Sequence, residues 1–342
     1  MSPSETVLRS ELLTLYTPLS RAPASLGLEL TFLVCAALTL WHALRARRRG
    51  DLGPLFIWAS TLAYGLMIEI LSYNFLDNFT HGQFTVMLYH RRLPLYIAVL
   101  YPVFIYTAIQ LAALLQPRRF AEPFLVGLII VVMDLPYDIS GPDAGWWVWS
   151  AKDPNLVYRW HGVPVTSYYW HLAFGGSLAF VVRSLRARAV AAGLLRPLRL
   201  LLLSILVGVL TLVLGVLAFL PYHGLKSLGV SDGAIVGGLF VLSALIVVAS
   251  AMASARMRSQ PPVRARLDGV LALIAVLYVS LHTVVAIALY RASTEPEATA
   301  KLAVKLVAAA LLLGLTALLQ RRGAIGAPYP PRNALPTAPA AA

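Results

Sequence analysis

The chain has 342 residues, 59% hydrophobic and only 13% charged, with a net charge of +13. A soluble domain carries about a quarter charged residues, so this balance excludes an ordinary soluble enzyme and leaves no room for a soluble domain. The single cysteine, Cys35, excludes a disulfide within the chain, and the scattering of basic residues over many short loops argues against nucleic-acid binding.

The start, residues 1–25, lacks the features of a secretory signal and reads as a polar lead-in with a short amphipathic piece. Apolar runs of bilayer-crossing length follow at roughly 26–44, 53–75, 93–116, 121–139, 163–183, 198–220, 234–255, 267–290 and 301–320. They predict an all-α, polytopic bundle of about nine transmembrane spans over residues 26–322. The Pro/Ala-rich tail 323–342 has the composition of a disordered segment. Arginine gathers after the odd-numbered runs, as in Arg45 to Arg49, Arg118-Arg119, Arg183 to Arg199 and Arg256 to Arg266. The positive-inside rule then predicts an outer N-terminus and a cytoplasmic C-terminus. The expected setting is a cell membrane, of the bacterial inner type, with membrane lipids as surroundings; oligomeric state is left open.

On that topology the outer ends of the spans carry the polar side chains, while the inner ends carry mostly arginine. Glu69 lies in LMIEILSYNF, with Tyr73 on its helix face. A lone acid in a span needs a partner, and a Tyr hydroxyl, a His, Arg91 or Arg92 are candidates. Pro102 falls inside the third run and predicts a kink. Asp134 and Asp138 stand at i and i+4 around Pro136 and share a face. An enclosed carboxyl that keeps its proton meets the requirement for a general acid; the alternative for Asp138 is a helix cap or a surface pair with Arg159. Ionisable groups at membrane depth are costly, which makes these acids candidate site residues.

The segment from Met133 to His171 is dense in aromatic rings: Trp146, Trp147, Trp149, Trp160, Tyr168, Tyr169 and Trp170. Some suit an interfacial aromatic belt; others suit a wall that stabilises a cation or holds a flat ligand. His171 stands one turn after Ser167 and is the candidate imidazole. The histidines His81, His90, His161, His171, His223 and His282 have no spacing that sets two ligands on one helix face, so no metal and no cofactor are expected, although a site assembled from several spans stays open.

Two stretches, 64–104 and 129–174, share an order: acid near a span end, aromatic loop, proline turn, aromatic helix. Aligning Pro94 with Pro164 pairs Tyr101 with His171 and Phe104 with Phe174. This is either an internal repeat flanking one pocket or a shared use of proline at helix starts. Gly175-Gly176 and Gly237-Gly238 suit close helix packing.

Asp134, the Gly145-Trp146-Trp147-x-Trp149 loop and His161-Gly162-Val163-Pro164, preceded by Glu69 and Leu93-Pro94, resemble the integral-membrane carotenoid hydratases, the bisanhydrobacterioruberin hydratase and gamma-carotene 1,2-hydratase group, or a sister family of that group. The resemblance covers roughly residues 60–182. It implies a hydro-lyase that adds water to a terminal double bond of an isoprenoid or polyene. It also implies roles: Asp134 or Glu69 as acid, His171 or Asp138 to orient water, and Trp146, Trp147, Trp149, Tyr168, Tyr169, Trp170, Tyr73 and Tyr101 around the substrate. A lipid or small-molecule transporter, an intramembrane metal-dependent lipid hydrolase and a structural protein without chemistry are the alternatives.

Overall fold

The computed structural model describes residues 6–10, 12–191, 197–257 and 267–321. The disordered tail expected at 323–342 and most of the arginines between Arg256 and Arg266 lie outside the described residues, as does Arg196.

The protein is an all-α bundle with short strands at one end. Helices α1 (Pro23–Arg48) and α2 (Gly53–Leu71) form the first hairpin, and α2 continues into a π-helical turn at Ser72–Leu76. The third crossing consists of α3 (Leu95–Tyr101), a π-helical turn at Pro102–Tyr106 and α4 (Thr107–Leu115). Helices α5 (Glu122–Ser140) and α6 (Val165–Ala191) follow, then α7 (Pro197–Ala218), the short α8 (Leu220–Ser227), α9 (Asp232–Met257), α10 (Gly269–Ala292) and α11 (Ala298–Arg321). Proline stands in the first turn of α1, α2 and α5, where its missing N–H costs nothing.

Among the described residues, eight helical segments are long and apolar enough to cross a membrane, and the chain is an integral multi-pass protein. The span expected at 163–183 is the exception. Its helix, α6, is long, but it opens with Thr166, Ser167, Tyr168, Tyr169 and His171, which dilute its hydropathy. It packs between α5 and α7. The third crossing and α5 are the most enclosed segments, whereas α7 and α9 turn Leu, Val and Ile side chains outward.

The lead-in carries two strands. Residues Thr6–Arg9 (β1) and Leu13–Tyr16 (β2) pair as antiparallel strands, and α1 begins at Pro23. Strand β2 extends to β4 (Val86–Leu88), which pairs with β5 (Leu93–Pro94), completing a four-stranded sheet. Buried Glu29 of α1 anchors it by accepting the Thr85 N–H at 2.9 Å. The kink expected at Pro102 takes the form of a π-helical turn, in which the ladder absorbs the missing N–H by widening.

Two further strand pairs lie at the same end. Strand β3 (Phe79–His81) pairs with β6 (Trp147–Trp149), and β7 (Arg159–Trp160) pairs with β8 (Val163–Pro164). His161 and Gly162, both at positive φ, close the β7–β8 hairpin, the backbone that a two-residue turn matching strand twist requires.

At the other end, ion pairs join the helix termini. Arg45 of α1 meets Asp268 before α10, Arg183 of α6 meets Glu122 of α5, and Arg186 of α6 meets Asp51 before α2. The bundle thus has an arginine end held by charge and an aromatic end held by short strands together with the Lys301–Asp143 ion pair at 3.1 Å.

Candidate functional site

Two acidic arms approach one cavity below the strands. The first comes from α2 and α3. Glu69 is buried two turns before the end of the long α2 segment, and the Tyr101 hydroxyl donates to its Oε1 at 2.5 Å. His81 of β3 brings Nε2 to 3.6 Å from Oε2. Gly65, one turn before Glu69, makes this geometry possible: the Tyr101 ring occupies the space a side chain there would take. Of the partners expected for Glu69, the structure supplies a tyrosine and a histidine, while Arg92 lies over the Tyr73 ring at 5.2 Å.

The second arm comes from α5 and α6, which run antiparallel. Asp134 and Asp138 are one turn apart on α5, Ser167 and His171 one turn apart on α6, and the pairs meet rung by rung. His171 Nε2 lies 3.3 Å from Asp134 Oδ1, and Ser167 Oγ donates to Asp138 Oδ2 at 2.7 Å. Glycines set this close approach. A Cβ at Gly127 would come within 2.6 Å of the Leu172 carbonyl oxygen, and one at Gly176 within 2.8 Å of the Pro123 carbonyl oxygen. Both are contacts with backbone, so a side chain cannot move them aside. Asp138 is buried and held by Ser167, which overturns its reading as a surface partner of Arg159; Arg159 instead donates to the Leu156 carbonyl.

The cavity between the arms measures about 100 Å³. Glu69, Asp138 and His171 line it, together with Ser167, Tyr101, Phe104, Phe174 and Trp170. Asp134, wholly buried, lies behind Asp138 and His171 and does not reach the wall. Asp134, an acid candidate from the sequence, thus stands behind the wall, and the helix rotation gives the cavity to Asp138.

The β3–β6 pair roofs the cavity. Side chains alternate along a strand, so Phe79 and His81 share a face, as do Trp147 and Trp149, and all four line the cavity. Thr80 and Val148, between them, point outward. The period-two pattern, F-T-H against W-V-W, is present in the sequence but in runs of three, too short to set Phe79 and His81 apart from a loop.

The other aromatic candidates divide. Trp147, Trp149, Trp170 and Tyr101 line the cavity, but Trp146, Tyr168, Tyr169 and Tyr73 do not. Trp146 is buried in the neighbouring core, 6.1 Å from the Tyr137 ring. Tyr168 packs with Ile139 and Val163. Tyr169 donates to the Ala218 carbonyl at 2.6 Å and serves the α6–α7 contact. Tyr73 stacks on Tyr89. Tyr64 and Tyr137, which the sequence did not single out, do line the cavity.

The remaining histidines are dispersed. His42 bonds Tyr106 at the arginine end, His161 meets Glu297 at 3.2 Å, and His282 is enclosed by Phe32, Tyr137, Trp146 and Tyr278. The one histidine–carboxylate cluster among the described residues that could hold a metal is Asp134, Asp138 and His171.

The stretches 64–104 and 129–174 have parallel construction. Each runs from an acid-bearing helix to a strand, then to a hairpin whose last residue is Pro94 or Pro164, then to an aromatic helix. Tyr101 and His171, seven residues after those prolines, each meet an acid of the preceding long helix.

A family profile described as a domain of unknown function, DUF7802, matches residues 16–293, which takes in both arms and every cavity-lining residue. No curated protein and no solved structure matches the chain.

Proposed function

The chain belongs to the DUF7802 family, and from the two arms of its cavity we propose that it is a membrane-embedded enzyme that hydrates a terminal double bond of an isoprenoid or polyene lipid. One observation carries this reading: Glu69 and the Asp138–His171 pair line the same small aromatic cavity from different helix hairpins. Alkene hydration needs an acid, a cation-tolerant wall and a held water, and the cavity offers a candidate for each.

The reaction runs as follows. The Glu69 carboxyl gives its proton from Oε2, the oxygen that Tyr101 leaves free, to the terminal alkene carbon. The neighbouring carbon becomes a tertiary cation faced by the rings of Trp147, Trp149, Trp170 and Tyr101. A water held at Asp138 and His171 forms the new C–O bond and loses a proton to the Asp138 carboxylate or the His171 imidazole. Proton exchange through the cavity restores Glu69, so the sum is one water added across one double bond. A cavity of about 100 Å³ takes the end of a chain and not a whole polyene, whose remainder would lie among the helices. The ion pairs that close the arginine end favour chemistry in a blind cavity over passage through the bundle. The arginine distribution supports placing the aromatic end outside.

The test supplies acyclic polyenes with terminal isopropylidene groups to the protein in lipid and reads products by mass spectrometry. Hydration predicts a product heavier by one water, made by the natural chain and not by Glu69→Gln. Unchanged polyenes with a folded, inserted protein overturn the reading.

A further inference from the structure

We propose that Asp134, Asp138 and His171 bind one divalent transition-metal ion, Zn²⁺ or Mn²⁺, with an open coordination position toward the cavity. This goes beyond the proposed hydration and does not depend on it.

Geometry comes first. Each of the three residues offers a ligand atom, and these atoms lie within 4.8 Å of one another. An ion bound at roughly 2.0–2.2 Å from nitrogen and carboxylate oxygen spans such a set with small side-chain rotations. The His171 Nε2 to Asp134 Oδ1 separation of 3.3 Å is that of adjacent ligands on one ion.

Charge comes second. Both carboxylates are buried in a bundle of apolar helices, and no Lys or Arg among the described residues pairs with either. The polar neighbours of Asp134 are Asp138 and His171, with no Lys or Arg among the described residues. Two buried carboxylates without compensation are costly, and one dication balances them. The Ser167 hydroxyl on Asp138 is the outer-shell bond that orients such a ligand.

A separate group also points to a ligand. His81 is buried, its Nδ1 lacks a hydrogen-bond partner while Nε2 lies 3.6 Å from Glu69, and it lines the cavity into which the cluster opens. Asp134 lies behind the wall while Asp138 and His171 form part of it, so the protein covers one side of the ion and leaves the other open to the cavity. Three protein ligands and one open position is the arrangement of catalytic rather than structural sites. Two oxygens, one imidazole and no thiolate select Zn²⁺ or Mn²⁺ over soft ions.

The experiment measures metal by mass spectrometry on the full chain purified in detergent, then stripped with chelator and reloaded with Zn²⁺ alone or Mn²⁺ alone. We expect about one ion per chain and a thermal midpoint raised by several degrees on reloading. Asp138→Asn and His171→Ala lose the ion, whereas His81→Ala keeps it. Failure of the natural chain to bind either ion overturns the inference, as does full retention by Asp138→Asn and His171→Ala. Should those variants not fold, X-ray absorption of the reloaded natural chain decides: one imidazole with oxygen ligands supports the site, and all-oxygen or sulfur ligation overturns it. Bound metal without hydrated product removes the reaction and leaves the site, while hydration by a chain that binds neither ion does the reverse.

Discussion

The α2–α3 hairpin and the α5–α6 hairpin build their arms from the same order of elements and arrive at different sets of polar groups. The first places one acid, Glu69, between a tyrosine and a histidine. The second places two acids one turn apart against a serine and a histidine. A tyrosine donor leaves one carboxylate oxygen free to act, which suits a proton donor. A doubled acid with an imidazole concentrates charge and suits a held cation or water. The difference teaches that a shared scaffold sets where the groups meet, and that single residues such as Tyr101 and His171 set what they do there.

Breaking each arm in turn separates the roles. Glu69→Gln and Asp138→Asn are each expected to lower hydration by about 10²–10⁴-fold, the range for loss of an acid or base. Product assays combined with metal analysis distinguish them, since only Asp138→Asn sheds metal. Next comes Tyr101→Phe, which keeps the ring against Gly65 and removes the hydrogen bond to Glu69. A bond to a charged group is worth about 1.5–3 kcal/mol, so a ten- to hundredfold fall in turnover with unchanged metal content is expected.

The packing behind the second arm gives a smaller, structural effect. Gly127→Leu forces a side chain against the Leu172 backbone and is expected to cost about 1–3 kcal/mol, read as a lowered thermal midpoint in detergent. On the roof, Val148→Ala alters an outward side chain, 69% exposed, and is expected to change stability by less than about 0.5 kcal/mol while leaving turnover intact. A large loss there would mean that the outer face of β6 serves the site too.

The smallest effect lies outside both arms. In the α10–α11 loop the Lys301 ammonium, 2.8 Å away, holds the Glu295 carboxyl below its ordinary value. A depressed value adds stability that is present at neutral pH and lost as pH falls through the ordinary glutamate range toward the folded value. Glu295 is mostly exposed, so solvent screening keeps the contribution slight. Glu295→Gln is expected to flatten the acid limb of a thermal-midpoint curve a little.

Much of this molecule is legible in its residues, for reasons that can be named. The apolar runs mark the helices because backbone in hydrocarbon must satisfy itself. Asp134 and Asp138 share a face by helical spacing alone, and aligning Pro94 with Pro164 equates Tyr101 with His171 before any contact is known. What escaped was non-local or short. Three-residue strands such as Phe79–His81 are too brief for alternation to stand out from a loop. The pairing of His81 with Glu69 depends on a fold-level contact that no spacing encodes. Whether Asp134 or Asp138 faces the cavity depends on the rotation of α5, which its glycine contacts with α6 determine. Eight of the nine expected spans pass as membrane-crossing by length and composition, and α6 falls short because its site residues replace apolar ones.

The two ends of the bundle are fastened unequally, and this has a mechanical consequence. Between the α2–α3 and α5–α6 hairpins, a charged clasp, Arg186 to Asp51, holds one end, while a three-residue strand pair bridges the other. If the hairpins tilt against each other, the clasp is the fulcrum and the roof lies at the far end of the lever. A small rotation at Arg186 then becomes a wide excursion at Trp147 and Trp149, where a long hydrophobic guest would have to enter.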